Sequence, residues 1–136
     1  MPEELAPRLR WAITRMARRL RQEAGTDLGP SQVAALATIE RHGPLSPSDL
    51  AQLERIKRPT ATRILRHLEE AGLVVRIRDP EDGRGAILSI TAAGRTHLRR
   101  LRARKTAYLA TRLDNLGAED RRTLERAAEL LEGMLE

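Results

Sequence analysis

A mainly α-helical fold with one small β-hairpin is predicted by three observations. Apolar residues recur at three- and four-residue spacing over most of the chain. Two short runs alternate with period two on either side of the polar stretch Asp79 to Gly85. The 136 residues contain no Phe, and Trp11 and Tyr108 are the only aromatics, so the core must be built from Leu, Ile, Val, Ala and Met. Such a composition favours packed helices over a β-sandwich. Residues 46–91 read as two short helices followed by the hairpin, the layout of a winged helix-turn-helix with further helices before and after it. The length suits one domain with a real core.

The elements follow in order. Leu5, Leu9, Ala12, Ile13, Met16 and Leu20 mark an amphipathic helix from Leu5 to about Glu23, with Gly25 as its stop. Gly29-Pro30-Ser31 opens a second helix whose apolar face is Val33, Leu36, Ala37 and Ile39, and His42-Gly43-Pro44 ends it. Ser46-Pro47-Ser48-Asp49 has the form of a capping box with Pro at the first helical position, predicting a short helix to about Leu53. A turn from Glu54 to Lys57 leads to a helix with Arg58 as N-cap and Pro59 in its first turn. Ala61, Ile64, Leu65 and Leu68 form its buried stripe, and Gly72 stops it after Ala71.

Leu73 to Arg78 and Ala86 to Ile90 are the predicted strands, with Leu73, Val75 and Ile77 sharing one face and Ala86, Leu88 and Ile90 another. The connection is dense in turn formers, and Asp79 and Asp82 suit turn capping and orientation of nearby arginines. Thr91 caps a long helix to roughly Asn115, despite the helix-weakening Gly94. Gly117 separates it from a last helix carrying Leu124, Ala127, Ala128, Leu131, Met134 and Leu135.

The net charge of +6 and pI near 11.0 point to a polyanionic partner, although a merely solvated basic surface would give the same totals. With no Cys, disulfides, thiolate zinc sites and cysteine redox switches are excluded. Neither a signal peptide nor an apolar run of spanning length is present, so the expected location is cytoplasmic with no membrane partner. His42, His67 and His97 lie on separate segments without metal-ligand spacing. No nucleophile–base pair or Gly-rich phosphate loop stands out, and no enzyme, metal or cofactor is expected.

The fourth helix carries the candidate chemistry. Its buried stripe leaves Pro59, Thr62, Arg63 and Arg66 outside, with Thr60 at the flank, and Arg58 beside them at the helix start. Arg can fork onto guanine or a phosphate, and Thr offers a hydroxyl or a methyl. Thr60, Thr62 and Arg63 lie in the first turns and are the candidate base readers; Arg66 reads as a backbone clamp. Arg84 at the hairpin tip suits a narrow minor groove. Arg76 and Arg78 are open between backbone contact and simple solvent exposure.

These residues resemble the MarR family of bacterial transcriptional regulators. The resemblance rests on Pro59-Thr60-Ala61-Thr62-Arg63-Ile64-Leu65, Leu68-Glu69-Glu70-Ala71-Gly72-Leu73-Val74, the aspartate-bearing wing, and Leu88-Ser89-Ile90-Thr91-Ala92-Ala93-Gly94. It covers nearly the whole chain, with one departure. Where the family's wing often reads D-x-R-D-x-R, Glu81 stands in place of a basic residue.

The resemblance implies a single domain over residues 1–136, with a reading head at about 30–91 and dimerisation helices at about 1–24 and 92–136. It further implies a homodimeric repressor on double-stranded DNA with an inverted-repeat operator, released by a small aromatic or phenolic ligand. Trp11, Arg15, His42 and Tyr108 are the candidates for a ligand cleft, although each has an ordinary structural use in packing, capping or solvation. The apolar residues of the first and last helices independently support a dimer, since a compact reading head cannot cover them all. A protein-interaction module whose basic face meets an acidic protein is the alternative from another class.

Overall fold

The structure is a computed structural model that describes residues 2–81, 83 and 85–136. The elements run α1 (Pro2–Ala24), α2 (Pro30–His42), α3 (Pro47–Glu54), α4 (Arg58–Glu70), β1 (Val74–Arg78), β2 (Ala86–Ile90), α5 (Ala92–Asp114) and α6 (Ala118–Met134). No helix among the described residues is long and apolar enough to cross a membrane.

Helix α1 starts before the predicted Leu5. Glu3 and Glu4 occupy its first turn, where carboxylates favour the positive end of the helix dipole. At its other end Arg104 Nη1 donates to the Ala24 carbonyl at 2.8 Å, joining α1 to α5. Helix α2 begins after Gly29, whose N–H donates to Gln32 Oε1 at 3.0 Å. Helix α3 has the predicted capping box: Asp49 N–H donates to Ser46 Oγ (3.1 Å) and Ser46 N–H to Asp49 Oδ2 (3.2 Å).

The core lies where α2, α3, α4, the hairpin and the first half of α5 meet. Leu36, Ile39, Leu50, Leu65, Leu68, Leu88 and Leu98 are its largest fully buried side chains, each contributing about 1.5–3 kcal/mol by leaving water. The buried stripe predicted for α4, Ala61, Ile64, Leu65 and Leu68, lies in this core.

The hairpin differs from the predicted one in which face of β1 turns inward. The strands are antiparallel with Val74 opposite Ile90, Arg76 opposite Leu88 and Arg78 opposite Ala86. Val74 is therefore the buried residue of β1, whereas Val75 and Ile77 on the other face are 47% and 39% exposed. Leu73 is buried but precedes the strand, because its N–H belongs to the end of α4. A further pairing has no signal in the sequence. Leu45, between α2 and α3, exchanges backbone hydrogen bonds with Leu88 at 3.0 and 2.8 Å, so β2 is flanked on both sides.

Helix α5 leaves the hairpin through Thr91, whose Oγ1 accepts from Gly94 N–H at 3.0 Å as predicted for a cap. Gly94 is buried, and a Cβ there would collide with the Leu73 carbonyl oxygen and come within 2.7 Å of Ile90 Cγ1. The glycine that looked like a cost to the helix is what lets α5 approach the end of α4. Helix α6 has no buried residue.

Gly94→Ala should therefore destabilise the protein by about 1–3 kcal/mol, the range for overpacking against rigid neighbours. Urea denaturation of variant and wild type measures it; an unchanged midpoint would show that the α4–α5 contact yields freely.

Candidate nucleic-acid interface

Helix α4 separates its faces residue by residue. Ala61, Ile64, Leu65 and Leu68 are buried, Arg58, Pro59, Arg63 and Arg66 are exposed, and Thr60 and Thr62 lie between. Six of the seven predicted DNA-contacting residues thus stand on one accessible side of a helix whose other side is held by the core. The seventh, Arg84, lies outside the described residues, as does Asp82. Arg63 Nη2 reaches Thr60 Oγ1 at 3.5 Å, the long limit of a hydrogen bond, leaving the guanidinium free to turn outward.

The start of α4 is one residue earlier than predicted. Lys57 is the N-cap, in extended conformation with no side-chain capping bond, and Arg58 is the first helical residue. Pro59 remains within the first turn, where a missing N–H breaks no helical bond. The end of α4 is built more firmly. Gly72, at φ 76°, takes a conformation that disfavours other residues. Its N–H donates to the Glu69 carbonyl, and Leu73 N–H donates to the Leu68 carbonyl, both at 3.0 Å. This is the paired closure of a Schellman stop.

The carbonyls of the same two residues then accept from Thr91. Thr91 Oγ1 donates to Gly72 O at 2.7 Å, and Thr91 N–H to Leu73 O at 3.0 Å. One threonine thereby caps α5 and fastens the end of α4 to it. The sequence showed the cap but not the fastening, because nothing in the spacing of Gly72 and Thr91 reveals that they meet.

In the wing, Asp79 Oδ1 accepts from Glu81 N–H at 2.9 Å, and Asp79 N–H donates to the Gly85 carbonyl at 3.0 Å. This is the turn-capping role predicted for Asp79. Arg76 Nη2 lies 3.5 Å from Glu69 Oε1, so this cation is turned toward α4; Arg78 is exposed.

The four candidate ligand residues are not gathered into one cleft. Trp11 and Arg15 stack on the surface of α1, with the guanidinium 5.6 Å from the ring centre. Tyr108 on α5 meets Arg19 and Arg112 at 5.4 and 5.1 Å. His42 is exposed at the end of α2. A separate cleft of about 580 Å³ opens between α1, the start of α2 and α5, with Leu20, Leu28, Val33 and Leu101 as apolar lining and Arg18, Arg21 and Lys105 as cations. Its signal in the sequence was faint: the arginines of α1 all look alike until α5 selects which of them border a concavity.

Known proteins share this architecture. The MarR family model matches residues 28–85. An HTH-type transcriptional regulator of Mycobacterium bovis is 34% identical over 128 residues, spanning 93% of this chain and 90% of the relative. One from Mycobacterium leprae has the same identity and coverage. The crystal structure of a transcriptional regulator protein from Pseudomonas aeruginosa matches with a TM-score of 0.87 at 35% identity, over 98% of this chain and 94% of that one. A MepR variant from S. aureus bound to an oligodeoxyribonucleotide has the same fold, with a TM-score of 0.75 at 20% identity over 97% and 98% of the two chains.

An anchored helix with an exposed cationic side, a hairpin beside it and these relatives together define a DNA-binding transcriptional regulator of the winged helix-turn-helix class. Within that class, the chain belongs to the MarR family.

Proposed function

We propose that the protein is a homodimeric repressor that binds an inverted-repeat operator through α4 and the wing. Residues 30–91 would form the reading head, and residues 1–24 and 92–136 the dimerisation region of one domain. The observation that carries this reading is the uncovered apolar surface at both ends of the chain. On α1, Leu5, Trp11, Ile13 and Met16 are about half exposed, and α6 with its C-cap Leu135 leaves Leu124, Leu130, Met134 and Leu135 in water. A helix that buries nothing gains little from packing, and an isolated helix of this length is marginal in water. A second copy covers such surface by two-fold symmetry. Two copies of α4 would then enter successive major grooves, with half-sites separated by about 10 bp or a multiple.

Thr60, Thr62 and Arg63 are the proposed base readers, with Arg58, Pro59 and Arg66 against the backbone and Arg84 in the minor groove. For release, the cleft between α1, α2 and α5 suits a small aromatic acid or phenol better than the residues predicted from sequence. It pairs apolar walls with Arg18, Arg21 and Lys105 in a volume of about 580 Å³, within the usual range for small-molecule sites.

Arg63→Ala should cost about 1–3 kcal/mol of operator affinity and relax base preference, whereas Arg66→Ala should weaken all sequences alike and lower the salt slope by about one. Fragment selection followed by salt titration separates the two, and wild-type binding by both variants would reject this reading face. Sedimentation at micromolar concentration should show a dimer; a monomer would remove the two-fold model. In a thermal-shift screen of aromatic carboxylates and phenols, a true effector should stabilise the protein and weaken operator binding together. At 100 times its dissociation constant it should add about 2.7 kcal/mol, and stabilisation with unaltered DNA affinity would discard the release mechanism.

A further inference from the structure

We infer that the turn between α3 and α4 is a binding site for DNA backbone phosphates, formed by Arg55 and Lys57, two residues outside the reading face described above. The inference rests on DNA binding by this chain but not on the dimer or on the assignment of base readers.

Two positions in this turn have clear local preferences, and both are overridden in the same direction. Arg55 ends α3 in the left-handed conformation, at φ 56° and ψ 47°, and is the single non-glycine residue with positive φ among those described. Glycine is the residue that such a position favours. Two residues on, Lys57 is the N-cap of α4 and makes no side-chain capping bond, where Ser, Thr, Asp or Asn would satisfy a free N–H. Each position thus forgoes local stability and carries a cation. Residues that break a local rule in a well-formed region mark functional sites.

Among the described residues no carboxylate pairs with either cation. From Arg55 to Leu68 the chain contains five Arg or Lys residues and no carboxylate. The two carboxylates of α3 are engaged within the protein. Asp49 closes the capping box with Ser46, and Glu54 accepts the hydroxyl of Thr38, which is buried on α2. Arg55 and Lys57 are exposed on either side of the partly buried Ile56, whose N–H donates to the Ala51 carbonyl at 3.0 Å. The Lys57 carbonyl accepts from Ala61 N–H at 3.0 Å. Two cations are therefore mounted on a fixed backbone immediately before the exposed first turn of α4. That placement fits the phosphates bordering a groove into which α4 inserts.

Binding of a short random-sequence duplex, titrated with salt, tests the site together with thermal melting. Arg55→Gly and Lys57→Ser each replace a cation by the residue the backbone favours. Each should raise the melting temperature while lowering duplex affinity about eightfold at roughly 0.1 M salt, with the salt slope smaller by about 0.9, as expected for one lost phosphate contact. Arg55→Lys keeps the charge and should keep the wild-type slope. Unchanged affinity and slope in both Arg55→Gly and Lys57→Ser, with the wild type binding normally, would overturn this site alone. A fall in melting temperature alongside affinity would also overturn it, by showing a structural role. If the wild type itself fails to bind duplex, the DNA reading falls with it.

Discussion

The contact on which the rest of the structure depends is the junction at Thr91. Gly72 and Leu73 close α4 by donating to carbonyls of its last turn, and their own carbonyls accept from Thr91 at the head of α5. The carbonyls that follow α4 are satisfied by Thr91, so hydrogen bonds tie the end of α4 to the start of α5 in addition to the packing of its apolar stripe in the core. Gly94 makes the approach close enough, and the buried Ile90 and Leu73 pack beside it. The reading role proposed for α4 needs this rigidity. A phosphate or base contact tolerates little displacement, and α4 is joined to the rest of the chain by a turn at one end and by this junction at the other.

The remaining architecture follows from the junction and the core beneath it. β2 carries Leu88 into the centre and pairs with β1 on one side and Leu45 on the other. The hairpin is thereby tied through β2 to the segment between α2 and α3, and it emerges beside α4. With its apolar stripe buried, α4 has only one way to face, and its cations point outward because nothing inside could accept them. Arg104 repeats the pattern at the end of α1, donating to Ala24 and so tying α1 to the same long helix. Helix α5 is the rod against which α1, α2 and the hairpin are aligned.

Much of this was legible in the sequence, for physical reasons that can be named. The Ser46 and Thr91 caps, the stripe of α4 and the glycine stop after Ala71 depend on residues within four positions of one another, so spacing alone reveals them. The inward face of β1 was not legible. Leu73, Val75 and Ile77 alternate correctly, but Leu73 is consumed by the helix stop, and the pairing of Val74 with Ile90 turns the next two apolar residues outward. Leu45 is one residue long as a strand, and period-two alternation has no meaning at that length. Pro59 suits a first helical turn and so points to Arg58 as the cap, but the cap is Lys57, and neither residue has the short oxygen acceptor that marks a helix start. Trp11, Arg15, His42 and Tyr108 are ligand candidates by side-chain chemistry alone. Concavity depends on how α1, α2 and α5 converge, and no local pattern encodes it.

The same geometry constrains how a signal could travel in the proposed dimer. Ala24 and Leu101 border both the α1–α2–α5 cleft and the buried core, and Leu101 lies on the helix whose first residues hold the stop of α4. A ligand that moved α5 relative to α1 would have to carry the Thr91 junction with it, because Thr91 caps α5 and both its hydroxyl and its N–H are bonded to the carbonyls that follow α4. The reading head would then rotate as a body rather than deform. For a two-fold reader, a small rotation of each head changes the separation of the two α4 helices while leaving each half-site interface intact. Release would then act by mismatching spacing against the fixed pitch of DNA, and the stiffness of the junction is what would convert occupancy of a cleft into that mismatch.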